Sequence, residues 1–490
     1  MGKLKKNAFK TTIISYIGLL IGYLNKGVLF VYFLSTEEIG LINLILTIGV
    51  LFAQFSNLGV SYTIWRFFPF FKNKQTSNNG FIQFTLILNI VGVFIFTLLL
   101  ILFKDLINDN YIKSPLFEAN YFWIIPLGIF YSFFLTLDSI LRAIHKNVVS
   151  IFAMDFLLRI MQLLVTLLFG FSIINFSYFV ALSSICFVFP TVLVLIQLLR
   201  NKQFFWRFSQ IDIAKRFRKI LYNYTFYNYI NFIGITVVLS LDTVMIASYI
   251  GLSKTGVYTT MIFLLSGVLI PYKTLQRFCQ PMVAEYWKNK ELNKLEKLYE
   301  RVSSISLIFG FIIFIVSWTL KNKALEFLPS QFDEFMILLL IVLIGRIIDM
   351  YSGLNGLILL SSKKYKIDIV FTLFLLVVTV LLNSVLIPKY GVIGAAIATS
   401  VALILYNFSR LIYVLIIFKI HPFKKSQFYI LMFFSASFII STTFLSGINV
   451  WLNTIISLCL FLLPIILFKL NSDINSLVFN QKQLFKNNNE

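Results

Sequence analysis

The chain has 490 residues, of which 59% are hydrophobic, 17% aromatic and only 13% charged. A soluble domain carries about a quarter charged residues, so a soluble globular protein is excluded. The net charge of +22 raises nucleic acid as a partner, but the Lys and Arg residues sit in short segments between long apolar blocks, as in multi-span membrane proteins; the partner implied is a lipid bilayer, with no nucleic acid.

In chain order, the start MGKLKKNAFK looks like the basic flank of a signal peptide. The apolar stretch behind it is too long for one and no A-x-A site follows, so it reads as an uncleaved first span. Apolar blocks long enough to cross a bilayer then recur at roughly 12–34, 39–65, 80–103, 121–144, 148–174, 176–199, 222–249, 255–277, 302–320, 335–360, 367–386, 392–418, 428–445 and 450–468. The expected fold is therefore an all-α integral membrane protein with about 14 transmembrane helices. Connections are short, the longest being 200–221 and 278–301, and none accommodates a soluble domain. Segments on the side of the two termini, with Arg142 and Arg277 at the adjoining span ends, hold 31 Lys and Arg residues against 6 on the other, which places both termini in the cytoplasm. The polar tail beyond about 470 reads as disordered.

The three cysteines, Cys186, Cys279 and Cys459, lie far apart and offer neither a disulfide framework nor metal spacing. His145 and His421 sit in loops with no Cys or His beside them. No metal and no cofactor is expected. No nucleophile with base and orienter is legible, nor a Gly-rich phosphate loop, so the chain does not read as an enzyme.

A shift of 216 residues superimposes Gly40 on Gly256, each just after a short external loop, and Lys72-Asn73-Lys74 on Lys288-Asn289-Lys290. Six spans separate the copies, so both halves share one orientation, a parallel repeat about an axis along the membrane normal. This divides the chain into an N-lobe at 1–199 (spans 1–6), a cytoplasmic linker at 200–221, a C-lobe at 222–418 (spans 7–12), two appended spans at 419–470 and a polar cytoplasmic tail at 471–490. Two pseudo-symmetric six-helix lobes around a central cavity make a transporter architecture.

One stretch interrupts the greasy pattern: LLNSVLIPKYGVIGAAIATS, 381–400. Gly391, Gly394, Ala395, Ala398 and Ala402 recur at three- and four-residue spacing, the small-residue surface on which membrane helices approach closely. Pro388 is expected to end the preceding structure, and the stretch to pack on span 11 or a neighbour in the second lobe. The same stretch resembles the N-x4-P-x2-G-x2-G-A-A-x-A-T pattern of bacterial polysaccharide (O-antigen and capsule) flippases. LSTEEIGLINLI (34–45), NLGVSYTIWRFF (57–68) and LDTVMIASYIGLSKTGVY (241–258) agree more loosely. These flippases belong to the multidrug/oligosaccharidyl-lipid/polysaccharide (MOP) exporter superfamily, with the multidrug (MATE) exporters and the lipid II flippase. The resemblance implies a MATE-like fold in the bacterial inner membrane. It also implies a substrate, an undecaprenyl-diphosphate-linked oligosaccharide turned from the cytoplasmic to the outer leaflet for surface polysaccharide (O-antigen, lipopolysaccharide) biosynthesis, with a polysaccharide polymerase and other assembly proteins as further partners. The family's cationic cavity draws on spans 1, 2 and 8, where the matching residues are Lys26, Arg66 and Lys273. Lys stands at two positions where better-known members often use Arg, and Lys lacks the bidentate geometry for a diphosphate.

Ionisable side chains within spans are costly and are functional candidates by default. Lys273, Arg410 and Asp138 fall near the cytoplasmic face and Asp368 at a span's start, where snorkelling or an interfacial pair competes with a functional reading. Arg159 and Arg346 fall near the midplane, each with a carboxylate on its own helix face, Asp155 at i−4 and Asp349 at i+3. Each is either a self-neutralised pair or a cavity wall whose Arg is released to a diphosphate. Lys26 has no carboxylate on its own helix, and the 216-residue shift places it on Asp242 of span 7. The two are expected to face each other across the cavity, either as a fixed bridge or with substrate competing with Asp242 for Lys26. Asp242, Asp155, Asp349 and Asp138 are the candidates for coupling H⁺ or Na⁺. At the opening of span 7, YNYTFYNYIN puts Tyr224, Tyr227, Asn228 and Asn231 on one face, which suits sugars and equally suits an interfacial aromatic belt.

Rival readings are a lipid II flippase or a multidrug/cation exporter of the same superfamily, the latter predicting an acidic cavity. A membrane glycan polymerase or ligase calls for a large external loop, and the external connections around 104–120 and 321–334 are too short for one.

Overall fold

The computed structural model of the protein describes residues 2–71, 80–112, 114–144, 146–200, 215–326, 335–364, 366–468 and 470. The Lys72-Asn73-Lys74 triplet, His145, most of the 200–221 linker and the tail beyond 470 lie outside the described residues. All regular structure among the described residues is helical, as expected where hydrocarbon leaves each segment to satisfy its own backbone.

Helix α1, Gly2–Gly22, runs through a π-helical turn at Tyr23–Leu29 into Phe30–Phe33. Helix α2, Thr36–Ser56, starts in a capping box: Ser35 Oγ accepts from the Glu38 amide and the Glu38 carboxylate accepts from the Ser35 amide. Next come α3 (Val60–Phe71), α4 (Phe81–Leu102) and α5 (Ile124–Ala143). After Val148–Ile151 a second π-helical turn, Phe152–Leu157, leads into α6, Leu158–Gly170. The chain continues as α7 (Phe176–Ile185), α8 (Val188–Arg200), α9 (Lys215–Tyr249), α10 (Leu252–Val268) and α11 (Ile270–Lys288). It ends with α12 (Leu292–Thr319), α13 (Phe335–Ser352), α14 (Asn355–Ser361), α15 (Ile367–Phe418), α16 (Lys425–Thr443) and α17 (Val450–Leu467).

Eleven of the described helical stretches are long and apolar enough to cross a membrane, or twelve if α13 and α14, bent by 43°, count as one span. The expected fourteen are not reached, for local reasons. Span 8 divides at Leu269 into the 17-residue α10 and the more polar α11. Spans 11 and 12 run together in α15, whose 52 residues would make a straight rod of about 78 Å. Gly391, at φ 61° and ψ −136°, breaks it into two helices. A side chain strongly disfavours that conformation, so Gly391 rather than Pro388 marks the turn. Span 2 is broken as well: Leu58 and Gly59 have positive φ, and Asn57 Oδ1 accepts from the Ser61 amide at 3.1 Å, capping α3.

The chain forms two compact units, one of residues 1–264 with 387–392 and one of 265–386 with 393–490. In the first, α2 runs through the core with Ile39, Leu41, Leu44 and Ile45 buried, and packs on α5 and α9. α9 is tied down by the Tyr229 hydroxyl, which donates to the Phe55 carbonyl, and by Thr225 against Thr63. The ends of α2 and α10 meet backbone to backbone. A Cβ on Gly40 would lie 1.9 Å from the Leu252 carbonyl oxygen, and one on Gly256 would lie 1.9 Å from that of Thr36. Thr36 and Leu252 are themselves 216 residues apart. Each contact is the image of the other, as a two-fold relation requires.

In the second unit α12 packs on α13, α16 and α17. The small-residue stretch lies here: Ala395, Ala396, Ala398 and Ala402 are buried. The Ser400 hydroxyl donates to the Ile341 carbonyl at 3.0 Å, and a Cβ on Gly345 would meet Ser400 at 2.8 Å. The small residues thus serve close packing, and the contact is with span 10, a neighbour in the second lobe as the second of the two expectations had it.

Candidate functional site

In the first unit the deep charges cluster around the π-helical turns of α1 and the α6 segment. A π turn inserts one residue into the helical ladder and is frequent at functional sites; Lys26 lies on one turn and Asp155 on the other. The two segments touch at Gly18, where a Cβ would lie 1.7 Å from the Asp155 carbonyl oxygen. The Ser15 hydroxyl donates to Asp155 Oδ2 at 2.5 Å, and Arg159 Nη1 donates to the Gly18 carbonyl at 2.8 Å. The expected Arg159–Asp155 ion pair is therefore not made: the π turn turns Asp155 toward α1, where Ser15 takes it.

Lys26 Nζ donates to Asn43 Oδ1 of α2 at 3.0 Å and lies 5.8 Å from the centre of the Phe263 ring. Asn43 is held in turn, its amide donating to the Ile39 carbonyl. The Tyr23 hydroxyl donates to the Leu264 carbonyl at 3.0 Å, fixing α1 beside the same segment of α10. A buried ammonium needs hydrogen-bond acceptors or an aromatic face, and here both partners are neutral. The expected Lys26–Asp242 pairing is absent: Asp242 Oδ2 accepts from the Tyr258 hydroxyl at 2.5 Å. The repeat appears in a different form, a polar tie from span 1 to span 2 in one copy and from span 7 to span 8 in the other.

Toward the far end of α3, the exposed Arg66 places its guanidinium carbon 4.3 Å from the Tyr224 ring centre. Beside it, Trp65 lies under the Arg142 guanidinium at 5.7 Å. Arg142 Nε donates to Asp138 Oδ2 at 2.6 Å, so Asp138 carries an ion pair on its own helix. The Asn228 amide donates to the Tyr224 carbonyl, and Tyr227 is exposed with its ring against Phe226. The side chain of Asn231 is outside the described residues. Two aromatic–guanidinium pairs thus share one patch, of which Arg66 and Tyr224 were expected. Trp65 and Arg142 were missed, although the adjacent Trp-Arg of NLGVSYTIWRFF was a usable signal.

The second unit holds the remaining candidates. Lys273 is exposed on α11. Arg346 Nη1 lies 3.9 Å from Asp349 Oδ2, a loose i, i+3 pair, and Asp349 Oδ1 accepts from Asn407 Nδ2 at 3.0 Å. The Tyr272 hydroxyl and the Gln276 amide donate to the Gly353 carbonyl exposed by the bend between α13 and α14. Asp368 and Arg410 form a buried ion pair, with the Arg410 guanidinium 4.1 Å above the Tyr406 ring. No cluster of three or more metal-ligating His, Cys, Asp or Glu occurs among the described residues.

No protein-family model matches the chain. Over 161 residues, 32% of the chain, it is 24% identical to the capsular polysaccharide biosynthesis protein CapF of Staphylococcus aureus, and the match spans 40% of that protein's length. In structure it is similar to the lipid II flippase MurJ in an inward closed conformation, with a TM-score of 0.72 and 15% identity over 94% of this chain and 98% of that one. It is also similar to an inward-facing multidrug resistance MATE family transporter of the MOP superfamily, with a TM-score of 0.65 and 10% identity over 83% of this chain and 97% of the other. The expected MATE-like architecture is thus present, and this multi-span helical membrane protein has the fold of the MOP-superfamily transporters.

Proposed function

We propose that the protein is a flippase that moves an undecaprenyl-diphosphate-linked oligosaccharide from the cytoplasmic to the outer leaflet of the bacterial inner membrane by alternating access, for surface polysaccharide biosynthesis. The observation that carries this reading is the state of Lys26. It is a deep cation held by an amide oxygen and an aromatic ring, with no carboxylate in contact. A diphosphate displaces such partners at little electrostatic cost, whereas it must outcompete a full negative charge at a salt bridge. Arg159, bonded to a backbone carbonyl, is a second cation of that kind, and a cationic lining favours an anionic headgroup over a cationic drug.

The motif at 381–400 and the partial similarity to a capsular polysaccharide biosynthesis protein support the polysaccharide branch. The likeness to a lipid II flippase keeps that substrate as the second reading. In this scheme Arg66, Tyr224, Tyr227, Asn228 and Asn231 of the first unit meet the headgroup on the cytoplasmic side, and Lys273 and Arg346 are the cationic candidates of the second unit. Asp242, Asp155, Asp349 and Asp138 are the groups that take up H⁺ or Na⁺.

Deletion of the gene tests the reading. Loss of one surface glycan with viability kept is the expected result, and a lethal wall defect would establish the lipid II reading instead. Complementation with Lys26→Ala at wild-type expression should fail to restore the glycan; full restoration would remove Lys26 from the substrate path.

A further inference from the structure

The second unit carries a groove that the transport reading does not use. Its volume is about 820 Å³, within the roughly 300–1,000 Å³ typical of small-molecule sites. The walls are apolar: Phe311 and Phe314 from α12, Ile347 from α13, and Leu431, Phe434 and Phe438 from α16. One end differs. Lys424, Lys425, Gln427 and Tyr351 close it. Gln427 is buried and fixed, accepting from the Tyr351 hydroxyl and donating to Ser304 Oγ and the Pro422 carbonyl. Neither Lys424 nor Lys425 has a carboxylate within 4.0 Å among the described residues; the nearby acid Glu296 faces His421 at 3.6 Å instead.

Lys425 is the first residue of α16, which is itself long and apolar enough to cross a membrane, so the two ammonium groups stand where that helix enters the bilayer. From Lys425 to Phe438 the helix rises about 20 Å, more than half of the roughly 30 Å hydrocarbon thickness. The occupant must therefore be a long hydrocarbon with an anionic group at one end. A water-soluble anion leaves the apolar length unfilled. A second copy of this chain, with its net charge of +22, brings like charge to the lysines. Basic pockets between membrane helices commonly hold anionic lipid headgroups.

We propose that this groove is a binding site for an anionic phospholipid of the surrounding bilayer, its phosphate on Lys424 and Lys425 and an acyl chain along α16 between α12 and α13. The lipid is a fixed companion of the second unit and not the transported molecule, so the site does not depend on what the protein flips.

Native mass spectrometry of the full-length protein in detergent, titrated with phosphatidylglycerol and with phosphatidylethanolamine, tests it. Phosphatidylglycerol should be retained at least tenfold more tightly, and Lys424→Gln with Lys425→Gln should remove that preference while leaving phosphatidylethanolamine unchanged. Leu431→Trp, which fills the groove without altering charge, should weaken both lipids at an unchanged melting temperature and guards against misfolding of the lysine variant. Equal retention of the two lipids, an undiminished preference in the double variant, or displacement of phosphatidylglycerol by an equimolar polyprenyl phosphate would overturn the proposal.

Discussion

Lys26 and Arg410 are both cations inside apolar helices, and the structure treats them in opposite ways. Arg410 is neutralised by Asp368 and covered by Tyr406. Lys26 is satisfied by the neutral Asn43 and Phe263. A cation with its own carboxylate contributes to the fold through a contact that is costly to break, whereas one with neutral partners can exchange them. On the reading proposed above, the difference separates charge used for architecture from charge available to a ligand, a distinction that depth in the membrane does not make.

Four substitutions test this separation, ordered by their expected effect on stability. Asp368→Asn leaves Arg410 buried without its anion and should cost about 3–5 kcal/mol, read as a marked fall in the melting temperature of detergent-purified protein. Replacing both partners by apolar residues should recover most of that loss. Gly18→Val pushes α1 off the Asp155 backbone, since a Cβ there would lie 1.7 Å from that carbonyl oxygen, and should cost about 1–3 kcal/mol by overpacking. It should also reduce glycan export, because the forced shift of α1 displaces the Gly18 carbonyl that accepts from Arg159. Arg346→Gln removes a long, partly exposed pair and should change stability by less than about 1 kcal/mol. Lys26→Met should leave the melting temperature unchanged or slightly raised, since an ionisable group within hydrocarbon is itself a cost, yet abolish export in cells. A large melting-temperature loss for Lys26→Met with export preserved would reverse the comparison.

The sequence carries part of this picture. The apolar blocks are legible because hydrophobic length is a one-dimensional property, and so is the loose Arg346–Asp349 pair, because i, i+3 neighbours share a helix face. The partner of Arg410 lies 42 residues away, and no local pattern selects it among several intramembrane carboxylates. Asn43 escaped notice for a related reason: an ammonium is expected to seek a carboxylate, and a neutral amide on the next helix carries no such signal. The separation of Arg159 from Asp155 follows from the π turn at Phe152–Leu157, which resets the helical spacing on which the i−4 reading relied. Gly391 was legible as a small residue in a large-residue context. Its role as the break in α15 was not, because the same glycine fits a packing seam equally well.

The paired glycines of α2 and α10 bear on how such a chain tolerates mutation. Gly40 excludes a side chain because of Leu252, and Gly256 excludes one because of Thr36. In a symmetric pair of half-length subunits, a single glycine codon makes both contacts, and one mutation breaks both at once. Once the halves are joined, the two codons vary independently, yet each remains blocked by the backbone of the other copy. Repetition leaves most positions free to diverge; at this joint two separate glycines must each stay free of a side chain for the same contact to hold.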